Sequence, residues 1–331
     1  MTGSPTCSLD EVFRAAAAEI QCADSIVLAC HVNPDGDALG SMLGLAHGLR
    51  SLGKTVTTLS QDGVPDIYIF LPGCDTIQSR LPQDVSFPLA IVLDSGDISR
   101  IGPDVLEIVR RSPLIIDVDH HISGDGFGQV KIIDATSAST AEIVFAFLKF
   151  LNVDITEQIA TCLFTGLITD TGSFRFQNTT GKTFRTGAEL VDAGAKPSEI
   201  AEIVFDNRTL PATLILGRAL TSLKSAGDGR IFWVKLCLSD FAETGARDED
   251  TEGIVNYARG VRGAQVGILF REVVPGKVRI SLRSHEGLDV SKIAGEFGGG
   301  GHRMAAGCTY TGSIDAAEEA VVKVILSQLS K

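Results

Sequence analysis

In the first half of the chain, short apolar runs alternate with segments whose apolar positions recur at helical spacing. That is the order expected of a sheet whose parallel strands are joined by helices. Ser25-Ile26-Val27-Leu28-Ala29-Cys30 is the continuous apolar run that a strand buried on both faces requires, and it leads straight into His31. Over residues 37–52, Leu39, Met42, Leu43, Ala46 and Leu49 share one helical face, and Gly53 ends the segment. Residues 54–60, 88–93 and 114–118 predict further strands, the last two stopping at Asp94 and at Asp119-His120-His121. Helices are expected over 140–151, 156–168, 182–193, 198–205 and 212–225.

Beyond residue 225 the pattern changes. Residues 230–238 read as a strand, and 264–272 with 277–283 as a hairpin turned at Pro275-Gly276. A last helix is expected over 314–329. The pattern predicts a first domain over 1–205, a helical connector over 206–222 and a smaller second domain over 223–331, which suits a length of 331 residues.

Apolar residues make up 44% and charged residues 21%, a globular balance that argues against disorder. The net charge of −12 argues against an extended track for a long nucleic acid, which calls for a basic surface. The 7 cysteines form no CxxC pair, as expected of free thiols in a reducing cytoplasm. No basic segment followed by an apolar run opens the chain, and no stretch approaches the ~18 apolar residues of a membrane span, so neither a signal peptide nor a membrane anchor is expected.

Candidate chemistry sits at the ends of the predicted strands. His31-Val32-Asn33-Pro34-Asp35-Gly36-Asp37 puts one imidazole and two carboxylates into a strand-to-helix loop. Asp94 and Asp119-His120-His121 also lie just past strand ends, the edge at which open α/β sheets bind ligands. Asp170, in Gly166-Leu167-Ile168-Thr169-Asp170-Thr171-Gly172-Ser173, adds an acid near a helix end. So many acids with few Lys or Arg in the same loops would repel one another, and metal ions are the simplest compensation. Imidazole with carboxylate suits Mn, Fe or Zn, whereas carboxylate and water alone suit Mg.

On HVNPDGDALGS (31–41), Asp94 in VLDSGD, the DHH triplet (119–121) and GLITDTGSF (166–174), the chain resembles the DHH phosphoesterase family, specifically its bifunctional nanoRNase and pAp phosphatase branch. GGGGHRMAAG (298–307), with Ser281-Leu282-Arg283-Ser284 upstream, resembles the DHH-associated nucleotide-binding domain. The resemblance implies an α/β fold: a DHH domain with a mainly parallel five-stranded sheet flanked by helices, and a smaller α/β domain with a mixed sheet, separated by a cleft. It also implies two Mn2+ ions, with Mg2+ or Co2+ as substitutes. One would be held by His31, Asp35 and Asp94, the other by Asp37, Asp94, His120 and Asp170, with Asp94 bridging. His121 would face the scissile phosphate from outside the metal shells, Asp119 would orient the neighbouring histidine, and Asn33 joins them as a candidate catalytic residue.

Two such ions clamp the attacking and leaving oxygens of a phosphoryl displacement. In the second domain Arg283, Gly299, Gly300, Gly301, His302 and Arg303 are the expected substrate contacts, through guanidinium, imidazole and backbone amides. Arg100 and Arg262 are further candidates. The implied activity is hydrolysis of short RNA oligonucleotides (nanoRNA) to nucleoside monophosphates and of 3'-phosphoadenosine 5'-phosphate (pAp) to AMP, in the cytoplasm, by a protein compatible with a homodimer. A phosphodiesterase acting on linear pApA or cyclic dinucleotides is the main alternative. A DHH-type inorganic pyrophosphatase, against which GGGGHRMAAG argues, and a non-catalytic nucleotide-binding module complete the set.

Overall fold

The computed structural model describes residues 8–82, 84–121, 126–285 and 287–329. The chain divides into two compact units between Asn207 and Arg208. The first contains α1 (Leu9–Cys22), β1 (Ser25–Cys30), α2 (Gly36–Ser51), β2 (Thr55–Leu59), β3 (Ile77–Gln78), β4 (Leu89–Leu93), α3 (Pro103–Arg110), β5 (Leu114–Asp119), β6 (Val130–Ile133), α4 (Thr140–Phe150), α5 (Glu157–Asp170), α6 (Gly181–Asp192) and α7 (Pro197–Ala201). Its strands form one sheet in the order β3-β2-β1-β4-β5-β6, with every pair parallel. The sheet has six strands rather than the expected five. The two-residue β3 is too short to carry periodicity, and Lys131 interrupts the apolar run of β6. The expected helix at 198–205 is helical only to Ala201 and continues as a wider π-helical turn over Glu202–Asp206.

Alternation along the strands fills two layers. Ile26, Leu28 and Cys30 of β1 pack towards α2, α4 and α5, while Val27 and Ala29 pack towards Val105 and Ile108 of α3. Between β1 and β4 the strand order reverses, so the chain segments leaving those two strands diverge and open a crevice at their carboxyl ends.

Helix α2 is buried almost all round, and glycine is what allows it. Gly36, Gly40, Gly44 and Gly48 recur every four residues and form one stripe along the helix. A Cβ on Gly40 would lie 2.3 Å from the Cys162 carbonyl oxygen of α5, and one on Gly166 of α5 would lie 2.7 Å from Asp37 Oδ1. The backbones of α2 and α5 thus approach closely enough to bring side chains at the start of one beside the end of the other.

The second unit contains α8 (Leu210–Thr221), β7 (Lys224–Ala226), β8 (Ile231–Leu236), α9 (Leu238–Thr244), α10 (Ile254–Arg259), β9 (Val266–Val274), β10 (Lys277–Ser284), α11 (Val290–Glu296), β11 (Gly300–His302), β12 (Ala305–Thr311) and α12 (Ile314–Leu329). Its mixed sheet runs β11-β12-β10-β9-β8-β7, with only β8 and β9 parallel. Helix α8, in the stretch expected as a connector, packs Ile215 and Ala219 against Val234, Leu236 and Leu269 of this unit. Gly300 and Gly301 of the glycine run lie in the edge strand β11: Gly301 has φ +140°, and a Cβ there would lie 2.6 Å from the Ala305 carbonyl oxygen. Among the described residues no helix is long and apolar enough to cross a membrane.

One acid in the first sheet is poorly solvated. Asp117 of β5 is 1% exposed; its Oδ2 accepts the Phe127 N–H at 3.0 Å, and Oδ1 has no hydrogen-bond partner among the described residues. Burial, with a smaller push from Asp119, raises its pKa from 3.8 to about 7. A carboxyl raised on folding costs nothing while both states hold the proton, lowers stability as pH rises from 3.8, and costs its full amount above about 7. Asp117→Asn is therefore expected to stabilise the protein by about 2 kcal/mol more at pH 8 than at pH 5. Denaturant melts at the two pH values test this, and an equal effect at both would contradict it.

Candidate metal centre

Each side chain of the site comes from a segment end. His31 follows β1, Asp35 caps α2 by accepting from the amides of Asp37 and Ala38 at 3.0 Å each, and Asp37 lies in the first turn of α2. Asp94 follows β4, Asp119 ends β5, His120 and His121 follow it, and Asp170 ends α5. Asp94 adopts φ +58°, a left-handed conformation that costs a non-glycine residue about 1 kcal/mol. Its amide nevertheless continues the β4–β5 ladder by donating to the Val118 carbonyl at 3.0 Å, which pins the left-handed residue to the sheet.

These segments converge. His31 Nε2 stands 3.7 Å from Asp94 Oδ2 and 3.9 Å from Asp35 Oδ1. His120 Nε2 stands 3.6 Å from Asp94 Oδ1, 3.9 Å from Asp37 Oδ2 and 3.3 Å from Asp170 Oδ2. The two oxygens of Asp94 therefore face two different groups, one of His31 with Asp35, the other of Asp37, His120 and Asp170. Within each of these sets the potential donor atoms lie within 4.8 Å of one another. All six residues expected to bind metal are thus brought together.

The site suits cations for three reasons. First, the His31 Nδ1–H donates to the Val32 carbonyl at 2.8 Å, which leaves the Nε2 lone pair aimed at two carboxylates. Second, separations of 3.6–3.9 Å are too long for direct hydrogen bonds but fit donors grouped around a shared ion. Third, the acids cannot all ionise unaided. Burial first, and then the charges of Asp37, Asp35, Asp170 and Asp119, hold Asp94 well above the usual carboxylate range. Burial likewise raises Asp37, and it raises Asp170 to about 9. Divalent ions would replace the protons that these acids otherwise retain.

The start of α4 completes the frame. The amides of Thr140 and Ala141 donate to the two oxygens of Asp37 at 2.7 and 2.9 Å, using N–H groups a helix start leaves without intrahelical partners. The Thr140 hydroxyl donates to Asp94 Oδ1 at 2.9 Å. Thr140 was not among the residues expected from sequence. Ser139-Thr140-Ala141-Glu142 does carry an N-cap signature, but a cap alone says nothing about a distant carboxylate.

His121 and Asp119 form a second pair. His121 Nδ1 lies 2.6 Å from Asp119 Oδ1, and Asp119 Oδ2 accepts the Gly96 amide at 2.5 Å. Burial would raise Asp119, but these bonds outweigh it and hold the acid below its ordinary value; the same bond from Asp119 raises His121. Arg100 donates to the Ser95 carbonyl at 3.2 Å and lies near enough to His121 to oppose its protonation. Asn33, with φ +50°, is anchored by its amide to Asp62 at 2.7 Å and exposes its side chain at the rim.

In the second unit Arg283 of β10 pairs across the sheet with Gly267 of β9 and Ala305 of β12, and Ala305 pairs with His302 of β11. Directly opposed residues project from the same face, so Arg283 and His302 flank a small Ala305. The Arg283 guanidinium donates to its own Leu282 carbonyl at 3.1 Å. Burial and then the neighbouring Arg259 push it below its ordinary pKa. Arg259, at the end of the six-residue α10, escaped sequence reading because so short a helix shows no period. A buried guanidinium under the charge of a second arginine calls for an anion. Gly299, Gly300, Gly301 and Arg303 are exposed around the β11–β12 hairpin, and Arg262 is exposed in the turn before β9.

Residues 25–167 match the DHH family, N-terminal domain, and residues 232–331 match the DHHA1 domain. Over 307 residues the chain is 33% identical to the bifunctional oligoribonuclease and PAP phosphatase NrnA of Thermus thermophilus, a match spanning 92% of this chain and 90% of that protein. The crystal structure of an exopolyphosphatase-related protein from Bacteroides fragilis superposes at a TM-score of 0.89 and 26% identity, over 99% of this chain and 100% of that one. An exonuclease RecJ bound to manganese shares the fold at a TM-score of 0.53 and 14% identity, over 99% of this chain and 96% of that one. The chain belongs to the DHH family, with a DHH domain followed by a DHHA1 domain.

Thr140→Val keeps the shape of the side chain and removes only the donor to Asp94. It is expected to weaken divalent-cation binding about 10-fold or more, and Thr140→Ser should restore it. Calorimetric titration with Mn2+ measures this, and wild-type affinity in the valine variant would show that Asp94 needs no such guide.

Proposed function

We propose that this protein is a metal-dependent phosphoesterase that hydrolyses very short RNA oligonucleotides to nucleoside monophosphates and pAp to AMP. The observation that carries this reading is the placement of Asp94 between His31 and His120, at 3.7 and 3.6 Å. Similarity over 92% of the chain to an oligoribonuclease and PAP phosphatase supports the substrate class.

In this reading His31, Asp35 and Asp94 hold one divalent ion, and Asp37, Asp94, His120 and Asp170 hold another. Manganese suits a mixed imidazole and carboxylate donor set. Bound ions would neutralise charge on the phosphoryl oxygens and make a nearby water easier to deprotonate. His121, whose proton Asp119 retains to higher pH, offers positive charge to the phosphate and a proton to the departing oxygen. Asn33 offers a polar side chain at the rim. Arg283, Arg259, His302 and Arg303, with the amides of Gly299 to Gly301, grip a substrate phosphate. With a net charge of −12, the protein holds its substrate by these local groups and not by an extended basic track. Action in the cytoplasm, on free nucleotides, belongs to the same proposal.

A manganese-reconstituted assay should compare pAp, pApA, RNA of graded length and pyrophosphate. The expected result is turnover of pAp and the shortest RNAs, with rates falling as length grows; equal rates on long RNA, or a preference for pyrophosphate, would contradict the proposal. Asp94→Ala is expected to lower turnover by more than about 100-fold and to remove at least one bound ion. Full activity in that variant would end the two-ion account.

A further inference from the structure

We propose that Asn178 is a positioning residue that sets the affinity of the cation site formed by Asp37, His120 and Asp170 together with the shared Asp94. The inference rests on the two-ion reading above.

The local backbone shows why such a residue is needed. Helix α5 ends at Asp170, and the chain then passes through Gly172, Ser173 and Phe174 with φ of +54°, +60° and +61°. Two successive non-glycine residues in the left-handed region cost about 1–2 kcal/mol each, so this excursion has to be held by its surroundings. The Thr171 hydroxyl accepts the Phe174 amide at 3.1 Å, and Arg175 Nε donates to the Gly172 carbonyl at 2.6 Å. These bonds stay inside the excursion.

Asn178, on the return leg, reaches outside it. Its Nδ2 donates to the Ala138 carbonyl at 2.8 Å and to the Asp170 carbonyl at 3.0 Å. Ala138 lies two residues before Thr140, whose amide grips Asp37. Asp170 is itself one of the acids facing His120, at 3.3 Å. One amide group therefore ties the approach to α4 to the end of α5, at the two places from which Asp37 and Asp170 are fixed. Both acceptors are carbonyls, so the side chain must present its NH2 here, and Oδ1 is left buried without a hydrogen-bond partner among the described residues. A buried acceptor left unsatisfied is costly, which sets this orientation apart from incidental packing.

The other cation set is built differently. His31 and Asp35 come from the β1–α2 loop, Asp94 at the end of β4 is shared by both sets, and the Asn178 amide bonds to the Ala138 and Asp170 carbonyls, not to these three residues. Loss of the Asn178 amide should therefore act mainly on one site and reach the other only through the shared Asp94.

The test uses the full chain as Asn178→Leu, which keeps the approximate shape, and Asn178→Ser, which is smaller. Each is titrated with Mn2+ by calorimetry and electron paramagnetic resonance, beside melting curves without metal. The wild type is expected to take up two ions. In both variants one ion should bind within about 3-fold of wild type and the other about 10–100-fold more weakly, with turnover recovering as Mn2+ is raised. Two ions bound with wild-type affinity in a folded variant would overturn the role of Asn178. So would equal weakening of both ions alongside a lowered melting temperature, which marks a purely structural residue. Fewer than two ions in the wild type would instead overturn the two-ion reading, and the inference with it.

Discussion

Repulsion among buried carboxylates is the constraint on which the first unit depends. Asp37 and Asp94 are 0% and 3% exposed, and Asp170 faces the same histidine as both. No fold brings such groups together by chance packing, because each resists ionisation in the presence of the others. Two features enforce it. The reversal of strand order opens a crevice at the ends of β1 and β4, which delivers His31 and Asp94. The glycine stripe of α2 lets that helix lie against α5, which sets Asp37 beside the end of the helix that carries Asp170. The amides and hydroxyl at the start of α4 satisfy part of the negative charge, and divalent cations are the natural complement for the remainder.

The second unit meets the opposite electrostatic problem. Burial first, and then the charge of Arg259, weakens the hold of Arg283 on its proton, and Glu252 partly offsets this. Small residues flank Arg283 on both neighbouring strands. The acids of the first unit call for cations, and the buried Arg283 of the second, under the charge of Arg259, calls for an anion.

Much of this was legible in the sequence, for identifiable reasons. His31 and Asp94 each terminate a continuous apolar run, and the Asp119–His121 triplet terminates a run broken only by Asp117, so their place at one sheet edge follows from the parallel pattern. Asp35 and Asp37 were legible as loop and first-turn acids. Other features depend on contacts between distant segments and left no local trace. The hydroxyl of Thr140 looks like an ordinary cap, and only the fold aims it at Asp94. The left-handed backbone of Asp94 is set by its bond to Val118 in the next strand. The glycines of α2 recur at a visible spacing, but their purpose appears only with α5 against them. Helix α1 carries a local signal in the capping box of Ser8 and Glu11, but its apolar face is narrow, with Phe13, Ala16 and Ile20 buried. In the glycine run at 298–301, the need for glycine at Gly301 appears only with β12 against it.

The most direct measurement is anomalous diffraction at the manganese edge from crystals grown with Mn2+. The account predicts two peaks about 3.5–4 Å apart, one on either side of the Asp94 carboxylate, the first touching His31 and the second His120. A single peak, or peaks away from Asp94, would contradict it.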